Sequence, residues 1–399
     1  LSLFKQWWST QAPGTDGPRC NQEVDAQGRT LLNTFPYDCR PPPSEAAQAA
    51  CQSLTDPACA YIPIGLFNRF DLAPEDGSTC GEHRILFAKQ TGQTVGLDRN
   101  LLIFEAVIRN PNPRAGIQGC RPLIEAWAAL SFVDNLERRI ARLEEIFFQG
   151  VGRFPPVISA AHYGDNDRDL GQIRTNQFMI GGAPFIWTLR EFKLRKQCSG
   201  RNCSLLMLPV TDKTNPIGLL FGDPRDPRAA AFQDHLVSTN VASLAQTVLT
   251  DISMNTPDRF NSGQSHSSGS TEMDYASYFG TQREGVQRKL WQALGTLGSS
   301  VTPPQLVERA KTQTCAGCHQ LSNNVELGAG AVWPPSLGFV HVSEVMPEQG
   351  EDGPRYRVSP LLESTFLPTR SRVMFDFLKE RPWRRRGWWG WSVGGRFTH

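Results

Sequence analysis

"TCAGCHQLSNN" occupies residues 314–324 and sets Cys315, Cys318 and His319 in Cys-x-x-Cys-His order. The 399 residues include only seven histidines, so one placed directly after two cysteines asks for a chemical reason. Three reasons present themselves: covalent haem, a zinc ion, or a tight disulfide. Covalent haem needs two thiols at fixed separation to add across two vinyl groups, and an imidazole on the adjacent turn to reach iron. The motif supplies both, and the Ala316-Gly317 pair keeps the backbone between the thiols slim. Zinc could draw on Cys315 and Cys318 with His319 or His341, but adjacent Cys and His are awkward ligands for one small ion. A redox disulfide of thioredoxin type wants a strand-to-helix junction, whereas this motif closes an expected helix. One covalent haem c is therefore the expected cofactor, and zinc and a disulfide stand as alternatives.

The flanking sequence offers a wrapper. In "TPPQLVERAKTQTCAGCH" Thr302 can cap a helix whose prolines occupy the first turn. A second helix is expected in "SRVMFDFLKERPW", and "WPPSLGFV" between them offers Trp333 and Phe339 to line the ring. His319 is the expected proximal ligand. Three downstream residues compete for the distal position. Met374 sits among Phe375 and Phe377, where a core methionine is the commoner explanation. Met346 precedes a proline in a polar segment, and His341 follows the aromatic lining. His341 is preferred and Met346 is the alternative; an open site or a ligand from the rest of the chain is the third case. The choice sets the chemistry, because thioether ligation raises the potential and an open site admits oxygen or peroxide.

Working outward, the other eight cysteines (20, 39, 51, 59, 80, 120, 198 and 203) form an even set among turn residues, which fits disulfides made in an oxidising compartment. Pairing of near neighbours gives 20–39, 51–59, 80–120 and 198–203, and "CSGRNC" reads as a tight turn that joins the last pair. Hydrophobic residues make up 39% and charged residues 20%, so a packed body is expected. A net charge of +2 is too balanced to argue for nucleic acid. No apolar run approaches the roughly 20 residues that span a bilayer. The opening lacks a charged segment followed by an apolar one, so the chain reads as already processed, and a periplasmic or extracellular location is expected.

Strands are expected in "AYIPIGLFNRFDL", "CGEHRILFA" and "RNLLIFEAVI", and a hairpin with one interrupted arm in "TNQFMIGGAPFIWTLREFKLRK" to "SLLMLPV". Residues 121–151 read as one helix with Leu136, Ile140, Leu143, Ile146 and Phe147 on its apolar stripe and Gly150 as its stop. Two more helices are expected near 229–250 and 280–295, separated by the Ser/Gly-rich "NSGQSHSSGSTE", which reads as a mobile loop. The fold class is α+β: a large disulfide-containing mixed body, residues 1–299, then a small, mainly helical haem-binding module, 300–380, and a basic aromatic tail, 381–399. In "GDNDRDLG", Asp165, Asp167 and Asp169 alternate as in a calcium loop, but the glycine is displaced and the closing glutamate is missing, so a solvated turn is preferred. His83 reads as a structural histidine beside a disulfide.

Through "CAGCH" the module resembles c-type cytochrome domains. Through "LFNRFDL", "CGEHRILFA", "LLIFEAVI", "TNQFMIGGAPFIWTLREFKL" and a late Cys-x-x-Cys-His followed by Phe339-Val340-His341, the longer chain resembles a largely uncharacterised family of exported bacterial proteins. The resemblance covers roughly residues 60–345 as ordered short blocks. It implies His341 as the partner of the motif and carries no activity with it. This chain departs from the pattern in the long stretch "QLSNNVELGAGAVWPPSLG" before that histidine.

The tail "RPWRRRGWWGWSVGGRFTH" interleaves arginine with four tryptophans, and Trp7 and Trp8 stand near the other end. Such ends could bind neighbouring subunits, or the tail could pack on its own protein. No nucleophile elbow, phosphate loop or dinucleotide fingerprint is present. The expected function is one-electron transfer by an exported monohaem c-type cytochrome, a carrier rather than an enzyme. It would work with a redox partner protein or as a subunit of a larger assembly. The alternatives are a haem enzyme with an open distal site, peroxidase- or oxygenase-like, and an architectural subunit with a structural haem.

Overall fold

The computed structural model describes residues 3–4, 23–38, 53–179, 186–222, 227–268, 272–280, 285–350 and 353–380. Its frame is one antiparallel sheet. Tyr61–Arg69 (β1), Thr79–Lys89 (β2), Asn100–Arg109 (β3), Gln172–Met179 (β4) and Ile186–Ser199 (β5) lie side by side in chain order. Two strands share the outer edge of β5: Asn202–Val210 (β6) along its later half, and the two-residue Ser265–His266 (β7) at Leu189 and Thr188. The expected strands are thus present, but the arm expected to be merely interrupted is two strands, β4 and β5, that pair antiparallel with each other, so the hairpin is a three-stranded meander within the sheet.

The faces of the sheet carry different cover. One is packed by Arg121–Ala129 (α1), Leu136–Glu144 (α2) and a wide turn, Glu145–Gln149, around a cluster including Ile124, Ile146, Phe147, Phe154 and Phe192. Residues 121–151 are not one helix. The backbone breaks at residues 133–135, and the Asn135 side chain accepts from Arg138 N at 2.9 Å to start α2 afresh. That break rotates the stripe: Ile146 and Phe147 are buried, but Leu136 and Ile140 are 63% and 46% exposed. Gly150 ends the run at φ 92°, a conformation that glycine adopts without penalty.

The other face is covered by Pro227–His235 (α3), Val286–Thr296 (α4), Pro303–Thr312 (α5), the antiparallel pair Val342–Gly350 (β8) and Gly353–Val358 (β9), and the turn Leu362–Phe366 that leads into Leu367–Lys379 (α6). One apolar cluster draws Ile64, Leu86, Leu101 and Trp187 from the sheet, Phe232 and Leu290 from the helices, and Cys315, Val340 and Leu361 from beyond residue 300. Residues 300–380 carry two β-hairpins as well as helices. The architecture is mixed α and β, and no helix among the described residues is long and apolar enough to cross a membrane.

Two expected disulfides are formed. Cys80–Cys120 links β2 to the start of α1, and Cys198–Cys203 closes the β5–β6 turn. Cys59 is also disulfide-bonded. Cys20, Cys39 and Cys51, Trp7, Trp8 and the tail 381–399 lie outside the described residues.

Candidate functional site: a pocket between the sheet and the Cys-x-x-Cys-His turn

The motif is held by a chain of caps. Thr302 and Gln305 form a reciprocal capping box at the head of α5, as the sequence suggests. After α5 ends, the Thr314 hydroxyl donates to Lys311 O at 2.8 Å and accepts from Gly317 N at 2.9 Å, which starts the short helical turn carrying Cys315, Cys318 and His319. Gly317 is obligatory, since a Cβ there would stand 1.8 Å from Lys311 O. Another amide of the turn, the buried Ala316 N, donates to Ser265 Oγ at 2.9 Å.

That bond corrects one expectation. "NSGQSHSSGSTE" is no loose loop where it is described: Asn261 through Ser267 are buried. Its polar side chains are satisfied by tertiary partners. Asn261 Oδ1 accepts from Asn215 N, Ser262 Oγ accepts from Asn215 Nδ2, and His266 sits 3.3 Å from Asp38.

Cys315, Cys318, His319 and His341 open together onto one pocket of about 110 Å³. That is below the roughly 300–1,000 Å³ of sites that hold a drug-sized ligand, so its walls must part to admit one. Its far wall is the sheet, through Phe67, Leu86, Leu101, Ile103 and Leu189, and its near wall includes Val342, Leu362 and Phe366. Both thiols are reduced and buried. Burial pushes Cys318 up to about 12 and Cys315 well above the usual thiol range, so both sulfurs are neutral. Neutral sulfur suits a thioether and not an activated redox cysteine, which needs the anion. No group of three or more His, Cys, Asp or Glu side chains among the described residues is arranged to hold a metal ion.

Both imidazoles have Nδ1 tied off. His319 Nδ1 is 2.8 Å from Phe339 O, and His341 Nδ1 is 2.9 Å from Ser359 Oγ. Such bonds fix the ring and turn Nε2 to the ligand, as around metal-bound histidines. His341 Nε2 lies 3.4 Å from Cys318 Sγ. Burial pushes His319 down to about 4, which keeps it neutral and able to ligate. The rings stand 4.4 Å apart, and an iron bound to both through bonds of about 2 Å needs them to part. Phe339 adopts φ 72°, a costly conformation for an aromatic residue, and so aims its carbonyl at His319 and at Asn176 Nδ2, 3.0 Å away.

The other expected site residues fall elsewhere. Met346 is exposed on β8 and Met374 packs in the opposite-face cluster, so neither lines the pocket. Trp333 is fully buried against Phe366, and Phe339 stacks on Trp187 at 5.2 Å; both support the wall from behind rather than form it. The three aspartates of "GDNDRDLG" answer separate partners: Asp165 accepts from Lys196 N, Asp167 pairs with Arg109 and Asp169 with Arg195. His83 is buried, and its Nδ1 accepts from Trp127 Nε1 at 3.0 Å.

Sequence reasoning missed the floor of the pocket. A zigzag of buried charge crosses the sheet: Glu82–Arg84 at 2.6 Å, Arg84–Glu105 at 3.1 Å, Glu105–Arg174 at 3.3 Å and Arg174–Glu191 at 3.1 Å. Arg69 continues it, paired with Asp71 at 2.9 Å. Burial alone would raise Glu82, but Arg84, Lys213 and Arg69 hold it down to about 2. The available signal was charged residues set inside otherwise apolar strands, which strand register brings into a row. No family model matches the chain, and comparison with curated proteins and with solved structures returns no match.

Proposed function

We propose that the chain is an exported c-type cytochrome that carries one electron at a time on a single covalent haem. One observation carries the reading: the two thiols of Cys-x-x-Cys and two imidazoles, each with Nδ1 already bonded, converge on one largely apolar pocket. Each thiol would add across a vinyl group, its sulfur bonding one carbon while its hydrogen passes to the next. His319 would serve as proximal ligand and His341 as distal ligand. Haem supplies a one-electron iron couple whose potential depends on its ligands and on burial. The sheet excludes water from one side of the pocket, and Leu362 and Phe366 from the other.

Two imidazoles leave no open coordination position, which favours electron transfer over oxygen or peroxide chemistry. Disulfides support an oxidising compartment, periplasmic or extracellular. The redox partner is a protein, or a larger assembly that includes this chain.

Carbon monoxide tests the ligand assignment. The reduced native chain is expected to resist the gas, and His341→Ala to bind it readily, with the shift in the main absorption band as the readout. Ready binding by the native chain would move the reading to a haem enzyme with an open distal site.

A further inference from the structure

We infer that the end of the pocket formed by Arg69, Arg84 and Arg370 is a carboxylate-binding site, and that it receives the two acid side chains of the tetrapyrrole. The inference rests on the proposed haem and assigns this chain's residues to the other edge of the ring. Three observations lead to it.

The first is the sign of the wall. Arg69, Arg84, Arg174 and Arg370 line the pocket, whereas Glu105 is the only acid that does so among the described residues. Asp71, Glu82 and Glu191 orient these arginines without lining the pocket, whereas Glu105, which pairs with Arg84 and Arg174, lies in the wall. Asp71 grips Arg69 through Nε at 3.0 Å and Nη2 at 2.9 Å, and Glu82 holds Arg84 at 2.6 Å. Guanidinium groups held this way are rigid, and four of them against one acid leave the wall positive, which suits carboxylates.

The second is Arg370, on α6. Its nearest recorded acid, Asp71, is 4.0 Å from Nε, and that buried nitrogen has no hydrogen-bond partner. Its other neighbour is the Phe366 ring, 5.5 Å from the guanidinium carbon. A guanidinium placed among apolar groups without a matched acid is destabilising unless an anion joins it.

The third is distance. His319 contacts Asn176 at 3.2 Å, and Asn176 is in register with Leu101, whereas Arg84 is in register with Glu105. Four residues along β3 separate the two rows, about 13 Å at the rise of an extended strand. The arginines therefore lie down the strands from His319, on the side toward which a ring held at its centre by that histidine could extend its acid groups.

The test compares iron protoporphyrin IX with its dimethyl ester, which keeps the ring and lacks the charges. Both are titrated into the full chain carrying Cys315→Ala and Cys318→Ala, so that binding is reversible. The acid is expected to bind about tenfold or more tightly than the ester, the worth of a charged hydrogen bond. Arg370→Gln should narrow that gap, and Arg370→Lys should restore part of it. Equal binding of acid and ester to the Arg370 protein overturns the inference, and this comparison needs no arginine substitution. A gap unchanged in Arg370→Gln removes Arg370 from the site. If neither porphyrin binds and the native chain carries no adduct, the haem reading itself fails, which is a separate result.

Discussion

His83 shows how much a single buried side chain can decide. It is fully buried beside the Cys80–Cys120 disulfide, and burial pushes it down to about 3 from the ordinary 6.5. A histidine whose folded value is depressed binds fewer protons than the unfolded chain between those two values, so stability falls as pH drops from about 6.5 toward 3. His83→Gln keeps an acceptor for Trp127 and removes the titration. Urea midpoints measured from pH 7 to pH 4 should therefore fall less steeply in the variant, and an equal slope would contradict the assignment. The residue's bland reading was legible in "CGEHR", because a histidine with no nucleophile or ligand near it in sequence has little else to do. His341 was legible as a partner of the motif, but its support was not: Ser359, which fixes the ring, lies 18 residues onward on another element. Met346 looked plausible because a methionine before proline in a polar stretch can turn inward, but the strand leaves the core after Glu344, and Val345, Met346 and Pro347 are all exposed.

At the scale of elements, periodicity served well where burial is one-sided and failed where the chain changes direction. The strands and α5 follow their patterns, whereas residues 121–151 keep a helical pattern across a break at 133–135 that Asn135 caps. The Ser/Gly-rich segment was the larger misreading. Composition registers small polar residues, but not that several of them find buried partners far away in the chain, as Asn261 and Ser262 do in Asn215 and Ser265 in Ala316. Ser265 makes this testable. Its hydroxyl takes the Ala316 amide between the two motif cysteines, so Ser265→Ala leaves a buried N–H unsatisfied and should cost about 1–3 kcal/mol. Denaturant unfolding reads the cost, and hydrogen exchange at Ala316 reads its location. A variant as stable as the native chain would show that this loop is not what anchors the motif.

Over the whole molecule, the sheet and the C-terminal residues share one core, and the pocket exists only between them. None of this was readable locally, because strand order and register are set by contacts distant in sequence. The charge row follows from register alone. Glu105 is fully buried and serves Arg84, Arg174 and Gln172 together. Glu105→Gln would leave two buried guanidinium groups short of an acid, and about 3–5 kcal/mol of stability should be lost, measured by denaturant titration. A loss below about 1 kcal/mol, the scale of an exposed ion pair, would mean that the row is solvated.

The account depends most on a tetrapyrrole joined to Cys315 and Cys318. Intact mass of the chain purified from an oxidising compartment, read with a pyridine haemochrome spectrum, tests that directly. One covalent porphyrin per chain, lost when both cysteines are replaced, is the expected result. A mass equal to the bare polypeptide, with no haemochrome band, would contradict it.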